Sequence, residues 1–223
     1  MSKPDSPKFQ NQIDEKSQLI KKHSVLNNLI TLIYGPMFAG KTQELLSKLS
    51  RHEAIGQKVL IICSLKDKRD NLIQINSCTT HRKNPSSLEN VTELKVLKLS
   101  EIDHCFIENH DVIGIDEGQF FDDLLLVKNW LLEKNKIIYI AGLMSTSEGN
   151  LFGEMYKLIP FSKLIHLTAV CKKCYEQYGI VTDAIMTACL VEKNTDEMVG
   201  FEEYVAMCFA HWREINFKNE NKI

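Results

Sequence analysis

The stretch "LITLIYGPMFAGKTQELL", residues 29–46, constrains this chain more than any other. An apolar run from Leu29 to Tyr34 leads straight into a glycine; after four intervening residues comes Gly40-Lys41-Thr42, and a helical pattern follows. A strand that enters a glycine-rich turn and leaves as a helix is the geometry that wraps a phosphate chain. The loop is Gly35, Pro36, Met37, Phe38, Ala39 and Gly40. Its glycines let the backbone approach phosphate oxygens and point N–H groups inward. Lys41 adds a positive charge near the outer phosphates, and the Thr42 hydroxyl is placed to coordinate Mg²⁺. A chance match to this P-loop pattern in such a chain is on the order of 1%.

The rest of the chain supplies the sheet that such a loop needs. "LITLIY" (29–34), "KVLIIC" (58–63), "DVIGID" (111–116), "KIIYIA" (136–141) and "KLIHL" (163–167) are short, apolar and rich in β-branched residues. Near-continuous runs of this kind predict strands of a parallel sheet buried on both faces. Helical spacing lies between them. Residues 42–56 place Leu45, Leu46 and Leu49 on one face, and residues 121–135 do the same with Leu124, Leu125, Trp130, Leu131 and Leu132. Asp122 and Asp123 then sit at the start of that second helix, where acids favour the helix dipole. The predicted class is α/β: a P-loop parallel sheet flanked by helices, with right-handed crossovers. Residues 64–92 are polar and without period, a loop-rich excursion. The strand-helix alternation stops near residue 168. The expected divisions are a mobile tail (1–28), a nucleotide-binding domain (29–168), a small domain (169–216) and a short tail (217–223).

Composition excludes other classes. Among 223 residues, 44% are hydrophobic and 25% charged, enough for a packed core. The net charge of -2 argues against non-specific nucleic-acid binding, which needs a basic excess. No apolar run reaches the roughly 18 residues of a membrane helix. The first 28 residues carry neither an apolar signal core nor an arginine-rich transit pattern, so the expected location is cytoplasmic. In a reducing compartment the seven cysteines read as thiols or metal ligands.

Two further groups carry chemistry. "DVIGIDEGQFF" is a strand that ends on Asp116 and Glu117. P-loop enzymes hold Mg²⁺ with an acid at the end of a neighbouring strand, and Asp116 fits that role together with Thr42. Glu117 then lies near the γ-phosphate, where it can accept a proton from an attacking hydroxyl. Cys171-x-x-Cys174 and Cys208-x-x-His211 form two clamps, each able to supply two ligands from one turn. Together they complete the Cys₃His set that structural zinc prefers.

"GPMFAGKTQELL", "IGIDEGQFF" and "HLTAVCKKC" together resemble the cytosolic (type II, zinc-containing) thymidine kinases, from about Leu29 to about Ile215. The resemblance implies transfer of the ATP γ-phosphate to the 5′-hydroxyl of thymidine, with Mg²⁺ accompanying ATP and structural zinc in a small C-terminal domain. It also implies a lasso loop over the nucleoside, a homo-oligomer (commonly a tetramer), and neither a membrane nor a nucleic-acid partner. By resemblance Glu117 is the base, Gln119 borders the nucleotide and Phe120 the nucleoside. "KDKR" (66–69) puts Asp67 and Arg69 near the phosphates, with Arg69 offsetting charge in transfer. Leu143, Ser147, Phe152, Thr187, Val199, Gly200 and Tyr204 fall at pocket positions. The alternatives are a catalytically weak nucleotide-binding regulatory paralogue and another P-loop ATPase. A GTPase is disfavoured, because the chain contains no Asn-Lys-x-Asp guanine motif.

The chain departs from the family most in "GLMSTSEGNLFG" (142–153), where Ser147 stands in place of a phenylalanine, and at Val199, where the family has a glycine. Losing a ring removes a stacking surface. A snug pocket separates substrates that differ by one methyl by about 10–200-fold, and a looser one sits at the bottom of that range. Deoxyuridine is therefore expected to follow thymidine within about tenfold in kcat/KM. A thymidine preference beyond about a hundredfold would show that another side chain fills the site.

Overall fold

A computed structural model of the chain describes residues 29–67, 91–191 and 203–217. The five predicted strands are present. They are β1 (Ile30–Tyr34), β2 (Val59–Ser64), β4 (Val112–Ile115), β5 (Ile137–Gly142) and β6 (Ser162–His166). A sixth, β3 (Val91–Val96), adds an edge that the sequence reading missed, because "VTELKV" is only half-buried. The sheet order is β3-β2-β4-β5-β1-β6, and every adjacent pair is parallel. All six residues of β2 are buried, as a strand covered on both faces requires.

One face of the sheet is covered by α1 (Lys41–Glu53), whose Leu45, Leu46 and Leu49 pack on Ile33, Val59, Ile61, Val112 and Ala141. The other face meets α2 (His104–Asn109) and α3 (Val127–Leu132), with Ile107, Val127, Trp130 and Leu131 against Leu60, Ile62, Ile113 and Ile140. The second predicted helix differs from the expectation of one continuous element over 121–135. A 3₁₀ turn at Leu124–Leu126 precedes the six-residue α3, and Leu132 is exposed. The cause is a long-range tie. The Asp123 carboxylate accepts from the N–H groups of Leu99 (3.0 Å) and Ser100 (2.8 Å), so it caps a different turn. Asp122 pairs with Lys66 at 2.8 Å.

Beyond β6 the chain forms a second, smaller cluster. It comprises β7 (Ala169–Val170), α4 (Lys172–Tyr178), β8 (Asp183–Ala184), β9 (Met186–Cys189), β10 (Tyr204–Met207) and α5 (Phe209–Asn216). β7 pairs antiparallel with β8, and β9 with β10. Its core is Ala169, Cys171, Cys174, Ala184, Ala188, Val205, Ala206, Met207 and Trp212. Among the described residues no helix is long and apolar enough to cross a membrane.

The approach of α1 to the sheet depends on one missing side chain. Gly114 lies mid-strand in β4, and a Cβ there would sit 2.4 Å from Cδ1 of Leu49, which is 3% exposed. Gly114→Ala is expected to lower stability by about 1–3 kcal/mol through overpacking. Leu49→Val in the same chain should recover part of that loss, measured by denaturant unfolding. Simple additivity of the two changes would contradict the contact.

Candidate active site and metal centre

Because all six strands run in one direction, their carboxyl ends share an edge. The P-loop leaves β1 there, Asp67 follows β2, Asp116 and Glu117 follow β4, and Leu143 follows β5. Ligands of open α/β sheets bind at this edge. β1 and β4 both flank β5, which brings the loop and the two acids together.

Within the loop, Gly40 turns into α1 at φ 79°, and Phe38 also takes a positive φ of 65°. Lys41 is 8% exposed and donates from Nζ to the Pro36 carbonyl at 2.8 Å, so its charge curls back over the loop. The Thr42 hydroxyl donates to the Asp116 carboxylate, 2.9 Å to Oδ2 and 3.1 Å to Oδ1. A hydroxyl and a carboxylate side by side are hard oxygen donors, a set that suits Mg²⁺.

Glu117 is buried and left-handed at φ 51°, ψ 48°. A non-glycine residue in that region costs about 1–3 kcal/mol and persists only where its surroundings hold it. Gln119 does so. Its Nε2 donates to Glu117 Oε2, and its Oε1 accepts from Leu143 N at 2.9 Å. On its other side, a Cβ on Gly153 would stand 2.3 Å from the Gln119 carbonyl oxygen. Phe120 meets Phe152 edge-on, with ring centroids 5.7 Å apart. The nearby Cys63 thiol is pushed up to about 12 by burial first and by the charges of Asp116 and Glu93, which excludes it as a nucleophile at neutral pH.

The four predicted metal ligands converge. The Sγ atoms of Cys171, Cys174 and Cys208 each lie 3.4 Å from His211 Nδ1, and those of Cys174 and Cys208 are 3.8 Å apart. A tetrahedral zinc with Zn–S near ~2.3 Å and Zn–N near ~2.05 Å has edges of roughly 3.5 Å (S–N) and 3.7 Å (S–S), so the donor set fits such an ion. Burial alone would raise the Cys171 thiol, yet backbone N–H groups of Cys208 and Cys174 and the His211 ring bring it down to about 6, toward the thiolate a metal needs. Lys173 and Glu214 join α4 to α5 at 2.6 Å beside it.

Hydrogen bonds connect this cluster to the P-loop and to the turn beyond β5. Met37 N in the P-loop donates to Thr187 Oγ1 at 2.9 Å, so Thr187 borders the phosphate loop itself. Trp212 Nε1 donates to the Ser147 carbonyl at 2.7 Å. The Ser147 side chain is buried and donates to Glu148 at 2.9 Å. Tyr204 is half-buried opposite Cys189 in the β9–β10 ladder. Leu143 meets Gln119 through its N–H, and Phe120 and Phe152 meet each other, as described. Arg69, Val199 and Gly200 lie outside the described residues, as do the predicted tail at 1–28 and all but Phe217 of the predicted tail at 217–223. Trp212 is the residue the sequence reading passed over. Its signal was faint: one of two tryptophans, next to a metal ligand, and a buried indole N–H requires an acceptor.

Comparison with known proteins supplies the family. A family model described as thymidine kinase matches residues 28–212. Thymidine kinase of sheeppox virus is 37% identical over 181 residues, 80% of this chain and 93% of that protein. Thymidine kinase 1 of Dictyostelium discoideum is 34% identical over 188 residues, 80% of this chain and 75% of that protein. Thymidine kinase of African swine fever virus is 33% identical over 185 residues, 80% of this chain and 91% of that protein. A match that begins before β1 and ends on the helix carrying His211 takes in the loop, the acids and the metal ligands alike, and the chain belongs to the thymidine kinase family.

Proposed function

We propose that this chain transfers the γ-phosphate of ATP to the 5′-hydroxyl of thymidine. The observation that carries the reading is the buried Glu117 carboxylate, held by Gln119 beside the Thr42–Asp116 pair at the mouth of the P-loop. Loop N–H groups and Lys41 bind the phosphates. Phe120, Leu143 and Phe152 wall the nucleoside. Glu117 takes the proton as the 5′-oxygen bonds to the γ-phosphorus, and the bond from that phosphorus to the β–γ bridging oxygen breaks, leaving ADP. Mg²⁺, held by Thr42 and Asp116, would neutralise charge on the phosphates. Arg69, whose sequence position follows Asp67 closely, is assigned the same electrostatic task.

Cys171, Cys174, Cys208 and His211 would hold zinc, whose binding energy is in part the folding energy of the small C-terminal unit. We assign residues 29–168 to the kinase domain and 169–216 to that unit. A ligand set of three thiolates survives best where thiols stay reduced, which supports a cytoplasmic location.

The test is Glu117→Gln. Turnover of thymidine should fall by about 10²–10⁴-fold, because the change removes the proton acceptor. ATP affinity should stay close to that of the natural protein, because the carboxylate serves the acceptor hydroxyl. Near-normal turnover would remove Glu117 from the chemistry.

A further inference from the structure

Residues 145–150 form a tight turn without an apolar side chain of its own: Ser145, Thr146, Ser147, Glu148, Gly149 and Asn150. It closes on itself through Thr146 N to Asn150 O (2.8 Å), Gly149 N to Thr146 O (3.1 Å) and a bridge between Ser145 and Leu151. Its two feet clasp Gln119. Leu143 N donates to the Gln119 amide oxygen, and Gly153 presses on the Gln119 backbone. A turn rooted this close to Glu117 must be seated by something, and its own residues provide no hydrophobic anchor.

The seat is Trp212. Its indole N–H donates to the Ser147 carbonyl at 2.7 Å. Its six-membered ring lies under Gly149, where a Cβ would be 2.9 Å from Cζ2 and where φ is 86°. The indole is 5% exposed and is fixed in turn by Phe209, stacked at 5.8 Å, and by Phe217, edge-on at 5.7 Å. Trp212 belongs to α5, which is capped by Cys208 and carries His211. The turn beside the acceptor site is thus registered to the helix that bears two of the metal ligands.

We infer that Trp212 is a positioning residue for the nucleoside, setting the height of the 145–151 turn over the acceptor site through its indole N–H and its contact with Gly149. The inference rests on the functional reading above, in which Leu143 and Phe152, the ends of this segment, wall the nucleoside. The nucleotide side is held by different groups, Lys41, Thr42 and the loop N–H groups, so the consequence falls on one substrate only. A buried carbonyl left without its donor and a turn without its seat weaken nucleoside binding. The base and the phosphates stay where they are.

The experiment compares the natural protein with Trp212→Phe, which keeps a ring and loses the N–H, and with Gly149→Ala, which pushes on the indole from the turn side. The expected result in both variants is a thymidine KM raised about five- to thirtyfold with kcat within about threefold, the split that marks lost ground-state binding. The dissociation constant for Mg·ATP and the zinc bound per chain, read by metal analysis, should be unchanged. A thymidine KM unaltered in both variants overturns the inference. So does a rise in KM that comes with loss of zinc or an equal weakening of ATP binding, because that reports general damage to the small unit. The natural protein is assayed first. If it does not phosphorylate thymidine, the functional reading fails and the inference with it. If it does and both variants keep its KM, the inference alone fails.

Discussion

The hydrogen bonds between Thr42 and Asp116 join residues 74 positions apart in sequence, and the rest of the site is arranged around them. Asp116 is 2% exposed, and a carboxylate so buried costs several kcal/mol unless its oxygens find partners. Thr42 supplies one only if the first turn of α1 reaches the end of β4, across the width of β5. That demands parallel strands ending at one edge, a loop that turns within Gly35–Gly40, and a helix lying close enough to β4 that a Cβ at position 114 would press on Leu49. The sheet is therefore built so that one hydroxyl and one carboxylate meet where a phosphate chain would end.

The second constraint is how Glu117 is held. Its backbone is left-handed, and the Gln119 amide uses both its polar atoms there, one on Glu117 and one on Leu143. Among the described residues, the C-terminal cluster reaches the sheet domain's loops at two separate points. Thr187 touches the phosphate loop, and Trp212 touches the turn beyond β5. Since Cys208 and His211 bracket the start of α5, a metal there would fix the helix whose tryptophan seats that turn. The four ligand residues and the turn beyond β5 are thereby parts of one arrangement, with the sheet domain as its base.

What could be read from the sequence was local. The strand, loop and helix of the P-loop, the strand that ends on two acids and the two ligand clamps each lie in a short run of sequence, so pattern and spacing revealed them. What could not be read was decided by distant partners. Asp123 looks like a helix-starting acid, yet it caps Leu99 and Ser100, and the expected helix shortens to Val127–Leu132. The bond from the Trp212 indole to the Ser147 carbonyl, 65 residues away, uses a backbone acceptor and leaves no trace in the side-chain pattern of 142–153. β3 escaped notice because an edge strand buries too little to show an apolar run.

The most direct measurement is ADP release from Mg·ATP in the presence of single nucleosides, alongside a reaction with none. The account predicts that ADP appears only when a deoxynucleoside with a free 5′-hydroxyl is present, that thymidine supports turnover, and that each ADP is matched by one nucleoside monophosphate. ADP released equally with and without nucleoside would make the chain a P-loop ATPase, and no ADP with any nucleoside would make it a nucleotide-binding protein without transfer activity. Either result would contradict the account.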